Sequence, residues 1–277
     1  MATPEQVLDL LGTLSEFQRN HLTDRDLKTL NLTCTNLDLS TGEPADGSGK
    51  FISPFPIEQV RELLAQKRPW VQYKLFPKRF NDPRADAMGI LDALVGFLRF
   101  SEDGGLGLIR ETEWKIRPMQ YEDGEILTRY EYWPGQPGQP GPYWNVTWVL
   151  DKIDYSTPHA SCLLADNALL RDDQLSNAEI WCILGITYYR LQHQWNFYNG
   201  QTIPVTVISC SDKMLRVVQG YVDGQGCIRV RKSPILNFEG MGIYSKNGKI
   251  VDVQNGLGQM ELVLSWCMGA TVGCTRT

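Results

Sequence analysis

The stretch PVTVISCSDKMLRVVQGYVDGQGCIRVRKSPI, residues 204–235, sets one thiol, Cys210, and three guanidinium groups, Arg216, Arg229 and Arg231, along β-favouring runs separated by turn residues. Arginine offers five donors in a planar fork that matches a carboxylate or phosphate, so several on one strand face would form an anion receptor. With an even loop at the reversal Asp223–Gly226, Val222 stands opposite Cys227, Gly220 opposite Arg229, Val218 opposite Arg231 and Arg216 opposite Ser233. Alternation along each strand then sends Arg216, Arg229 and Arg231 to one face, and Leu215, Val217, Tyr221, Ile228 and Val230 to the other. Gly220 would leave room for a ligand beside Arg229. A turn at 211–213 pairs Cys210 with Met214 on the arginine face, where Arg216 would favour the thiolate. The ordinary alternatives are a solvated face, arginines paired with carboxylates from elsewhere, and an inert buried thiol.

A second arrangement would be catalytic. In EDGGLGLIRETEWKI, Asp103, Glu113 and Lys115 follow the loose D…(D/E)-x-K pattern of metal-dependent nucleases, in which two carboxylates hold Mg²⁺ and the lysine orients the attacking water. The pattern is short, and Asp26-Leu27-Lys28 satisfies its second half as well. Magnesium is expected only with this reading; the binding reading calls for no cofactor. His159 or His193 with Cys210 could supply a base and a nucleophile, but no nucleophile-elbow motif accompanies them. Seven cysteines without a C-x-x-C pair and only three histidines argue against a local structural zinc site, so no metal centre is expected.

These residues need a scaffold, and the chain of 277 residues with 42% hydrophobic content can build a substantial core. Apolar spacing predicts helices over residues 4–19, from 56 to Pro69, over 83–100, over 177–195 and near 257–269. Ser176 and Glu179 form the capping box of the fourth. Residues 106–116 and 125–133 read as an antiparallel pair, PGQPGQPGP at 134–142 as an exposed loop or proline-motif ligand, and Asn247-Gly248 as a hairpin turn. Helices come first, hairpins next, then one buried helix between further strands. This segregation predicts an α+β fold with a mainly antiparallel sheet and flanking helices. A single domain spanning 1–277 is expected, with a helical subregion at 1–101 and a β-rich region at 102–277.

AEIWCILGITYYRL, IPVTVISCSDKMLRVVQGYVDG, IRVRKSPILNF and LSWCMGATVGCT resemble segments in a group of uncharacterised proteins of filamentous fungi, a likeness confined to the C-terminal third. The resemblance implies a fungal intracellular origin and transfers no activity, substrate or site residue. An accessory enzyme of fungal secondary metabolism would follow from that context alone. A formal charge of −5 argues against general nucleic-acid binding. MATPEQVLDLLGTLSEF lacks the basic start and apolar run of a secretory signal, and no stretch matches a membrane span. The expectation is a soluble cytoplasmic protein that binds a small anionic ligand or a protein partner through Arg216, Arg229 and Arg231. A nuclease built on Asp103, Glu113 and Lys115 is the alternative.

Overall fold

The computed structural model describes residues 2–67, 83–100, 107–119, 127–132, 140–153, 157–193, 201–246, 249–273 and 275. In chain order these form α1 (Pro4–Ser15), α2 (Asp24–Thr29), β1 (Leu32–Asn36), β2 (Ile52–Ser53), α3 (Ile57–Lys67), α4 (Pro83–Arg99), a 3₁₀ turn (Leu108–Glu111), β3 (Trp114–Pro118), β4 (Thr128–Tyr132), β5 (Pro140–Lys152) and β6 (Ala160–Asp166). Next come α5 (Asn177–His193), β7 (Val205–Ser211), β8 (Met214–Val222), β9 (Ile228–Lys232), β10 (Leu236–Asn237), β11 (Gly242–Lys246), β12 (Lys249–Val253), α6 (Gly256–Cys267) and β13 (Ala270–Thr271).

Nine strands make one sheet in the order β1-β9-β8-β7-β6-β5-β3, with β4 also on β5 and β10 on β8. Most pairings are antiparallel, as the pattern predicts for an α+β fold. Two are not: β1 runs parallel to β9, and β6 runs parallel to β7. The second pair makes β6-α5-β7 a crossover unit, in which the intervening helix must lie on a sheet face. The segments read as an antiparallel pair do not pair with each other. Instead β3 lies along Trp148–Lys152 of β5, and β4 lies along its earlier half.

The helices cover both faces. On one, Ile180, Ile183 and Leu184 of α5, with Val7, Leu11 and Leu14 of α1, pack over Cys162, Leu164, Val205, Val207, Val218 and Val230. On the other, Ile90, Leu91, Leu94 and Leu98 of α4, with α3 and α6, pack over Leu163, Ile208, Cys210, Leu215 and Val217. The stripes expected of α1 and α4 are buried at Val7, Leu11 and Leu14 and at Ala87, Ile90, Leu91, Leu94, Val95 and Leu98, and such burial is what stabilises helices of this length. The Ser176–Glu179 capping box forms as its spacing predicts: the Ser176 amide donates to Glu179 Oε2 at 2.8 Å, and the Glu179 amide to Ser176 Oγ at 3.2 Å. Because β1 is the sheet's edge strand beside β9, the first hundred residues contribute to the same sheet as the last hundred. The Asn247-Gly248 turn lies outside the described residues, although β11 and β12 pair antiparallel on either side of it. So does most of the 134–142 loop, whose last three residues begin β5.

Candidate site at the arginine strands

The reversal between β8 and β9 decides where the arginines point. Asp223 caps it: Oδ1 accepts the amides of Gln225 and Cys227, each at 2.9 Å, and Gly226 takes a φ of +74° that suits glycine. With the Cys227 amide drawn to a side chain, the first ladder pair is Val222 with Ile228, leaving an odd loop of five residues between them. The register therefore runs Tyr221 with Arg229, Gly220 with Val230, Gln219 with Arg231 and Val218 with Lys232. A slip of one residue turns a strand over. Arg229 and Arg231 share a face with Gln219 and Tyr221, and Arg216 projects from the opposite face. The expected common direction of all three guanidinium groups is corrected accordingly.

Arg216 is closed in on every side. It is 1% exposed under α5, with Nε and Nη2 donating to the two oxygens of Glu179 at 2.7 and 2.5 Å. Its Nη1 reaches the Arg171 carbonyl at 2.7 Å, and Nη2 also reaches that of Gln174 at 2.9 Å. Burial works against the charge, but Glu179 outweighs it and raises the guanidinium pKa. The capping glutamate thus serves both the helix start and the sheet. Gly220 opens no gap for a ligand: a Cβ there would come within 2.6 Å of Ile183 Cδ1, so the glycine admits α5 to the sheet.

Cys210 pairs with Leu215, because Asp212, at φ 54°, and Lys213 make a two-residue turn. It therefore faces away from Arg216. It lies in the apolar layer under α4, where burial pushes its thiol pKa far up and disfavours a nucleophilic thiolate. His159 is no nearer a nucleophile. Its ring is buried, and burial, followed by the positive Lys152 and Arg190, lowers its pKa to about 4.

For the metal pattern, Asp103 lies outside the described residues. Glu113 Oε1 is engaged by Lys152 and by the Thr271 amide and hydroxyl. Burial opposes its ionisation, but these partners prevail and lower its pKa. Lys115 pairs across the ladder with Asp151. Among the described residues no group of three His, Cys, Asp or Glu side chains could hold a metal ion.

Arg229 and Arg231 end on different terms from Arg216. They line a pocket of about 340 Å³ together with Thr33, Thr35, Asp46, Ser48, Tyr221, Asp223 and Val230. The parallel pairing of β1 with β9 builds its floor by setting Thr33 beside Arg229 and Thr35 beside Arg231. Arg229 is half exposed and donates from Nε to Asp223 Oδ2 at 3.2 Å and from Nη1 to Thr33 Oγ1 at 3.3 Å. The Asp223 hydrogen bond raises its pKa.

Arg231 is 4% exposed, with its guanidinium stacked 4.5 Å from the centre of the Phe51 ring. Nη2 donates to Ser48 Oγ at 2.8 Å, whereas Nη1 is buried with no hydrogen-bond partner among the described residues. Burial lowers its pKa, and Asp46 is close enough to raise it in part without forming an ion pair. Arg231 also belongs to a polar row crossing five adjacent strands in register: Ser161, Thr206, Gln219, Arg231 and Thr35. Buried guanidinium groups normally have every strong donor directed at an acceptor, so Nη1 is the exception that calls for a chemical account.

Sequence reasoning misses Thr33, Thr35, Asp46 and Ser48. The stretch containing Asp46 and Ser48 reads only as a polar loop, and nothing local in β1 announces a parallel partner some two hundred residues away. No family model matches the chain, and no curated protein or solved structure shows significant similarity to it.

Proposed function

We propose that the protein binds a small anionic ligand in the pocket between β9, β1 and the 46–48 turn, with Arg231 as the principal anion-binding group and Arg229 at the rim. The observation that carries this reading is the state of Arg231: a nearly fully buried guanidinium at a pocket wall that, among the described residues, lacks an ion pair and retains an unpartnered Nη1. Charge-assisted hydrogen bonds to such a group are stronger than those between neutral partners, and low solvent access reduces their screening. Phe51 holds the guanidinium plane in place before any ligand arrives. A concave pocket of this volume suits a small molecule more than the flat surface of a protein partner.

The test is calorimetric titration of the full chain with inorganic phosphate, succinate, butyrate and 4-aminobutyrate. Saturable binding of at least one of them, lost in Arg231→Ala and retained in Cys210→Ala, is the expected result. Silence of the entire panel against the folded wild type would overturn the reading.

A further inference from the structure

The pocket contains two acids as well as two arginines, and their hydrogen bonding separates them into spent and unspent groups. Asp223 is spent: Oδ1 accepts two amides of its own turn, and Oδ2 accepts Arg229. Asp46 differs. Its Oδ1 accepts the amide of Ser48 at 3.0 Å and the Ser48 hydroxyl, but among the described residues Oδ2 has only the Thr35 hydroxyl at 3.5 Å, the limit of a hydrogen bond. Ser48 also accepts from Arg231 Nη2, so this one hydroxyl holds Asp46 and Arg231 beside the same pocket without an ion pair between them.

The pocket therefore has in its wall a buried guanidinium with a donor left over among the described residues, and beside it a weakly engaged anionic acceptor, with the hydroxyls of Thr33 and Thr35 alongside. Its formal charge is zero: Arg229 and Arg231 balance Asp46 and Asp223. A dianion on Arg231 would place its second charge against Asp46, and a simple monoanion would leave Asp46 unused. A molecule carrying both signs of charge satisfies both groups.

The geometry points to a small amino carboxylate as the ligand, its carboxylate on Arg231 and its ammonium on Asp46, an inference that rests on Arg231 being the anion-binding group. The same Ser48 that keeps the two apart fixes their separation, so recognition depends on the spacing between the ligand's charges as well as their presence.

The test compares butyrate, 2-aminobutyrate and 4-aminobutyrate by calorimetry, since the three share a four-carbon acid and differ only in whether and where an ammonium is carried. At least one aminobutyrate is expected to bind about tenfold more tightly than butyrate, equivalent to about 1.4 kcal/mol. In Asp46→Asn, which can still accept the Ser48 amide, that advantage should disappear while butyrate affinity stays level or improves. Unchanged circular dichroism and melting temperature would show that this variant keeps its fold. Butyrate binding as tightly as both aminobutyrates would overturn the amino-carboxylate inference alone and leave the anion reading intact. An ammonium advantage that survives Asp46→Asn would overturn it too, because the cation would then sit elsewhere. If none of the three binds and the phosphate and succinate titrations are silent as well, both readings fall together.

Discussion

Arg216 and Arg231 stand fifteen residues apart on neighbouring strands of one hairpin, both almost wholly buried, yet they have opposite chemistry. Under α5, Arg216 meets a bidentate carboxylate and two carbonyls. On the other face, Arg231 meets one hydroxyl and an aromatic ring among the described residues. Burial alone therefore does not decide how an arginine's donors are satisfied. What separates the two is whether the fold closes the donor set: a helix cap supplies a carboxylate to one, and the 46–48 turn stops short of supplying one to the other.

The sharpest way to break this comparison is to remove each arginine. Arg216→Ala leaves Glu179 buried without its partner, which should cost about 3–5 kcal/mol in urea unfolding. Glu179→Ala should cost about as much, and the double change Arg216→Met/Glu179→Leu should cost less than either, because no charge remains stranded. Arg231→Ala should fall well below that range, since no buried carboxylate loses an ion pair. Equal costs at the two positions would remove the distinction between closed and open donor sets.

The faces also respond to pH with opposite signs. On the Arg216 side, burial raises Asp166 to about 7, helped by the negative Glu179 and opposed by the Ala168 amide. Its folded pKa lies above the unfolded value near 4, so between about 4 and 7 the folded state holds a proton that the unfolded chain releases. Stability from this group is full below pH 4 and declines as pH rises to 7. On the Arg231 side, His159 falls to about 4, so between about 4 and 6.5 the unfolded chain binds a proton that the folded state refuses. Its contribution is full above pH 6.5 and is lost as pH falls. The two slopes should nearly cancel in the wild type between pH 4 and 6.5. Asp166→Asn should uncover stability rising with pH, and His159→Phe stability falling with it, each by up to about 1.4 kcal/mol per pH unit. Unfolding curves across this range check the signs, and identical profiles for both variants would show that neither group titrates as argued.

A smaller effect probes how closely α5 approaches the sheet. In Gly220→Ala the new Cβ meets Ile183 Cδ1 at 2.6 Å and the Arg229 carbonyl oxygen at 3.2 Å, an overpacked site costing about 1–3 kcal/mol. Ile183→Val removes the closest of these atoms and should recover part of the loss when the two changes are combined. Simple additivity in the melting temperatures of the single and double variants would mean that the side chains do not touch.

Much of this arrangement is readable in the chain, and the exceptions have physical causes. The Ser176–Glu179 cap and the apolar stripe of α4 are local, and local spacing is enough to find them. The antiparallel bias is legible from the segregation of helices and strands, whereas the β6–β7 and β1–β9 pairings are not, because parallel partners are far apart in sequence. The arginine face is misread for a different reason. Parity depends on one residue, and Asp223 adds it by drawing the Cys227 amide into the turn, a competition between side chain and ladder that composition does not reveal. Two of the three arginines nevertheless line a pocket, and Tyr221, assigned from sequence to the core face, is its aromatic wall.

The smallest expected effect belongs to Arg229, the rim arginine between the two extremes. It has a carboxylate partner, as Arg216 has, but the pair is accessible to solvent, so water and salt weaken it. Arg229→Ala should cost no more than about 1 kcal/mol in urea unfolding, and the loss should shrink at high ionic strength. Asp223 keeps its two turn amides in this variant, so the odd loop and the position of Arg231 should survive. If the proposed anion site is right, butyrate affinity should then fall by only a few-fold, against complete loss in Arg231→Ala, because Arg229 would add only screened charge at the rim. A stability cost of about 3 kcal/mol or more would instead class Arg229 with Arg216, as an arginine whose pairing the fold requires.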